Sequence, residues 1–155
     1  MKGSTANDVI WMNEALSMSM KKHDYNDIVS IETELSGYRR GSLKASIDLE
    51  AGRIAWKDTH MWNNDFVRAL SPERVSYIRQ KLPATELLNW ATDYAKGIGH
   101  LMGSMTGSFP QDWSVVIRFS DGETLKACGI SSFPKQWSAY RMLIEEIAKT
   151  SFRLR

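Results

Sequence analysis

From Ile28 onward the chain alternates loosely between apolar and polar residues with a period of two, the pattern of extended backbone whose side chains point to opposite faces. Val29, Ile31, Thr33 and Leu35 fall on the predicted core side of a first strand. Gly37 and the run Arg39–Ser42 supply a turn. Leu43, Ala45, Ile47 and Leu49 then alternate with Lys44, Ser46, Asp48 and Glu50, the clearest amphipathic strand in the sequence. Glu50–Ala51–Gly52 closes a tight turn in which the glycine is free to take positive φ. Arg53–Asp58 returns as a third strand, with Ile54 and Trp56 on one face.

The period changes at Ser71, a favoured N-cap followed by Pro72 at the first helical position and Glu73 at the positive end of the dipole. Val75, Ile78 and Leu82 continue at helical spacing until Pro83 breaks or kinks the helix. A second helical piece is expected over Thr85–Tyr94, capped by Thr85. Residues 95–112, with Gly97, Gly99, Gly103 and Gly107, are the least regular part, and a long loop in a small domain is usually functional or mobile. Trp113, Val115, Ile117 and Phe119 form one face of the next strand. Asp121–Gly122 predicts a two-residue hairpin turn, and Glu123–Ile130 returns with Leu125, Ala127 and Cys128 partly buried. The last helix presents Trp137, Tyr140, Leu143, Ile144 and Ile147 inward, with Glu145, Glu146 and Lys149 toward solvent.

Residues 43–82 and 113–150 share one order: strand, glycine turn, strand, connection, proline, helix. Each hairpin can bury one face under its helix, so the expected architecture is α+β. Two successive ββ-α units would pool into one antiparallel sheet of about five strands, with helices on one face. Residues 1–22 form an N-terminal arm, expected to be helical because Val9, Met12, Leu16 and Met20 fall near one face, and 23–155 form a single α+β domain. The arm does not read as a secretory leader, since Asn13 and Glu14 interrupt it and Lys21 and Lys22 follow it. The segment Trp113-Ser114-Val115-Val116-Ile117, then Asp121-Gly122, Gly129, Pro134 and Trp137, resembles a C-terminal pattern of small uncharacterised bacterial α+β proteins. The resemblance covers about the last quarter of the chain. It rests on strand, turn and helix-start residues, so it implies a fold and carries no activity or site.

Composition narrows the function classes. Lys and Arg number 20 against 18 Asp and Glu, a balance that argues against electrostatic capture of nucleic acid, although Arg39, Arg40, Lys44, Arg53 and Lys57 cluster near the first hairpins. A single cysteine excludes an internal disulfide framework and points to the cytoplasm. No stretch approaches the roughly 20 apolar residues of a membrane span.

No catalytic, cofactor or metal motif stands out. His23, His60 and His100 are not at mutual ligand spacing and no cysteine pair completes a zinc site. Asp58 and His60 share a face of extended chain, a pairing seen in general-base sites but far more common in solvated loops. Gly97–Gly103 has the glycines of a dinucleotide fingerprint without the strand before it. Cys128 reads as a structural thiol rather than a nucleophile. Six tryptophans are many for this length: Trp56, Trp113 and Trp137 have core slots, whereas Trp11, Trp62 and Trp90 do not. With Met102 and Met105 these three can form an adaptable apolar contact surface. The sequence therefore favours a non-enzymatic interaction module that neutralises or scaffolds another protein, or pairs with its own copy. The alternative is a small-ligand protein or unrecognised enzyme, with a groove near residues 95–112 and His60 or His100 beside it.

Overall fold

The computed structural model describes residues 23–37, 41–90 and 111–154. Six strands form one antiparallel sheet: β1 (Ile28–Gly37), β2 (Gly41–Asp48), β3 (Arg53–Asp58), β4 (Phe66–Ala69), β5 (Gln111–Phe119) and β6 (Thr124–Ile130). Their order is β4-β3-β2-β1-β5-β6. Among the described residues the α-helices are α1 (Pro72–Lys81) and α2 (Trp137–Ala148). The fold is thus α+β, with six strands among the described residues where about five were expected. The additional strand, β4, pairs Phe66 with Trp56 and Ala69 with Arg53 at the sheet margin. At four residues it is too short to show an alternation of its own.

The first hairpin pair and the last do not meet, because β1 lies between them, paired to β2 on one side and β5 on the other. The two ββ-α segments therefore share the sheet only through the leading strand. Ile31, Thr33 and Leu35 face the core as the alternation requires, but Ile28, not Val29, is fully buried. The β1–β5 register shifts between Ile28 and Ser30, and such a bulge exchanges the faces beyond it.

The turns follow local chemistry. Asp48 Oδ1 accepts from the Glu50 and Ala51 amides at 3.1 and 2.8 Å, and Gly52 takes φ +70°. In the β5–β6 hairpin the Phe119 amide donates to the Glu123 carbonyl, leaving Ser120, Asp121 and Gly122 between them. The loop has three residues rather than two, with Gly122 at φ +87° closing it.

Ser71 caps α1, its Oγ accepting from the Arg74 amide at 3.2 Å. Past Lys81 the chain tightens into two short 3-10 turns, Leu82–Thr85 and Leu87–Asn89. Thr85 is no N-cap: its hydroxyl donates back to the Leu82 carbonyl, and Glu86 takes the left-handed conformation between the turns. The core lies between one sheet face and the helices. Ile78 of α1 and Trp137, Tyr140, Leu143, Ile144 and Ile147 of α2 are buried, as is Phe152 beyond α2. The Tyr140 hydroxyl pairs with Thr33 of β1, so the two buried polar groups satisfy each other. Arg68 of β4 is exposed but reaches over to α2, its Nη1 donating to the Ala148 carbonyl at the helix end.

Candidate functional site

Where β3 ends, two aspartates fold the chain into a fixed turn. Asp58 Oδ1 accepts from the amides of His60 at 2.9 Å and Met61 at 3.0 Å, and the Asp58 amide donates to Asp65 Oδ1 at 2.7 Å. Between them Trp62–Asn64 makes one 3-10 turn, with the Asn64 amide on the Met61 carbonyl and the Asp65 amide on the Trp62 carbonyl. The Ser42 amide donates to Thr59 Oγ1 at 2.7 Å and the Thr59 amide to the Ser42 carbonyl, fastening the turn to β2. Gly41 takes φ +75°, and a Cβ there would lie 2.8 Å from Thr59 Oγ1 and 3.2 Å from His60 Nδ1. Only glycine lets β2 start this close to the turn.

The turn holds Trp62 in solvent at 80% exposure, with Met61 at 39%. Val67, on the adjoining β4, is also exposed at 69%. Behind the turn is a cleft of about 320 Å³, lined among others by Trp56, Asp58, His60, Met61, Arg153 and Leu154. The last two belong to the tail after α2. That tail is anchored: the Phe152 amide donates to Glu145 Oε2 at 2.8 Å, and Arg141 holds Glu145 Oε1 at 2.7 Å. Glu145 is therefore half-buried and structural, not a solvating residue, while Glu146 accepts from the Tyr77 hydroxyl and ties α2 to α1.

The sequence-derived site residues separate. Trp62 and His60 sit at the turn, both exposed. Trp90 is 1% exposed, packed edge-on to Trp113 and Tyr140, with its indole N–H on the Thr85 carbonyl at 3.0 Å. It belongs to the core, because the 3-10 turns past Pro83 swing it under the sheet. Trp11, His100, Met102 and Met105 lie outside the described residues. Asp58 is buried rather than solvated, and its Oδ1 holds backbone amides instead of the His60 ring. Cys128 is exposed, not a buried thiol, since Ala127 and Gly129 take the inward positions of β6. Lys44 pairs with Glu32 at 3.1 Å, which removes one cation from the basic cluster, and Arg39 and Arg40 lie outside the described residues.

A further grouping has no local signal in the sequence. His23 Nε2 lies 2.9 Å from Asp121 Oδ2 and 3.3 Å from Glu123 Oε2, with the ring stacked 3.9 Å from Phe119. The potential ligand atoms fall within 4.8 Å of one another, a spacing also common among exposed acidic groups that hold no metal, and His23 Nε2 is hydrogen-bonded to Asp121. The grouping fastens the start of the described chain to the β5–β6 hairpin. Residues 98 positions apart meet only because β1 and β5 pair.

No helix among the described residues is long and apolar enough to cross a membrane. Comparison with known proteins returns no match: no family model, no curated protein and no solved structure.

Proposed function

We propose that this protein is a non-enzymatic interaction module that neutralises or scaffolds another protein, or pairs with a second copy of itself, through the face carrying Trp62. One observation carries the reading: a tryptophan 80% exposed on a turn held by backbone amides donating to the Asp58 and Asp65 carboxylates. A mobile loop would lose conformational freedom on binding, whereas a preformed turn presents its anchor with that cost already met in folding. Tryptophan is also the residue type most enriched among dominant interface contacts.

The contact is made by side chains rather than by an added strand. β4 is four residues long and carries the charged Arg68, two features that oppose pairing along a sheet edge. The N-terminal arm and Trp11 extend the contact in this reading. We place the protein in the reducing cytoplasm, where the exposed lone thiol of Cys128 stays free.

Sedimentation of the purified chain, with and without Trp62→Ala, tests the assignment. A dimer that the substitution converts to monomer assigns the second copy. If both are monomeric, the partner is a different protein, retained on immobilised wild-type chain and not on the Trp62→Ala chain. A dimer insensitive to the substitution, or a partner retained equally by both chains, contradicts the reading.

A further inference from the structure

We infer that the cleft behind the turn binds a small zwitterion of the α-amino-acid class, with its ammonium on Asp58 and its carboxylate on Arg153. Asp58 is nine-tenths buried, and a buried carboxylate is costly unless its oxygens are satisfied. Oδ1 is satisfied by the two turn amides, while Oδ2 accepts no hydrogen bond among the described residues. Among the described residues no fully buried side-chain oxygen lacks a partner, so Oδ2 is not sealed in, and Asp58 is one of the residues that line the cleft. Arg153 lines the same space. Its guanidinium takes part in none of the ion pairs among the described residues, and it does not reach Asp58.

The cleft thus holds one negative and one positive group that do not neutralise each other. A ligand bearing both charges satisfies both. A simple cation or anion would satisfy one and leave the other uncompensated. The guanidinium fork suits a carboxylate, which it can bind through two parallel hydrogen bonds. At about 320 Å³ the cleft is at the lower end of the usual range of about 300–1,000 Å³ for ligand pockets, so the occupant is small. Leu43, Trp56 and Leu154 give it an apolar wall, which favours an aliphatic or aromatic side chain. The Glu145–Phe152 bond fixes the tail backbone next to Arg153, so the cation starts from a defined place.

Calorimetric titration of the full chain with the twenty amino acids tests this. At least one is expected to bind one-to-one, and its N-acetyl and carboxamide derivatives to bind at least tenfold more weakly. Arg153→Gln and Asp58→Asn should each weaken binding at least tenfold. The asparagine keeps the oxygen that caps the turn, and Arg153 lies on the exposed surface, so the glutamine variant decides the matter even if Asp58→Asn misfolds. No saturable binding at millimolar amino acid, equal binding of the blocked derivatives, or wild-type affinity in Arg153→Gln overturns the proposal.

Discussion

Because the Trp62 indole is 80% exposed, truncating it to alanine removes little packing. Trp62→Ala is expected to leave unfolding free energy unchanged within about 0.5 kcal/mol, as for surface substitutions generally. Trp90→Ala deletes a buried ring at the centre of an aromatic cluster, and a loss of about 3–5 kcal/mol is expected. Urea denaturation of the two variants checks both values, and equal losses would contradict the placement of these residues. The sequence showed that both tryptophans lacked an obvious core slot but did not separate them. Trp62 follows a strand whose alternation ends at Asp58, so nothing places it inward. Trp90 follows Pro83, and its burial depends on a left-handed Glu86 that propensity alone does not announce.

At the scale of elements, turns and caps were the most legible features because one or two residues determine each. Ser71–Pro72–Glu73 starts α1 where expected, and the inward stripe of α2 is buried throughout. β4 was not legible, since its pairing is set by β3 rather than by its own four residues. Gly129 shows how a tertiary contact can dictate a residue. A Cβ there would lie 2.5 Å from Trp113 Nε1 and 2.9 Å from the Ser132 carbonyl, the acceptor of that indole N–H. Gly129→Ala should therefore cost about 1–3 kcal/mol, in the range of overpacked sites. Thermal unfolding would detect it, and an unchanged midpoint would show that β6 and Trp113 are not packed this closely.

For the whole molecule, sheet and helices meet at the Tyr140–Thr33 pair. Burial pushes the Tyr140 phenol well above the usual tyrosine range, outweighing the opposing effect of the Thr33 hydrogen bond. Below pH about 10 the phenol is protonated in both states; above it the unfolded chain releases a proton the folded chain keeps. Stability should thus fall as pH rises past about 10, by about 1.4 kcal/mol per pH unit from this residue. Tyr140→Phe should lose that part of the slope, and an identical slope in denaturation series at pH 9 to 11 would contradict it. Strand order was beyond reach of the sequence, because β1 reads locally as the first strand of a meander while its longest-range partner, β5, lies past α1. The candidate site was half legible for the same reason: Asp58, His60 and Trp62 are near neighbours in the chain, whereas Arg153 reaches the cleft only through the tail after α2. The central claim, that the Trp62 turn is the surface meeting a protein partner, is tested most directly by site-specific photo-cross-linking in cells producing the full chain. A benzophenone side chain at the exposed Asn63 position leaves Trp62 intact, and one at Glu50, in the exposed β2–β3 turn, serves as control. The account predicts one discrete adduct from position 63, to a second copy or a single other protein, absent from position 50 and lost on adding Trp62→Ala. No adduct at 63, or the same adducts from both positions, would contradict it.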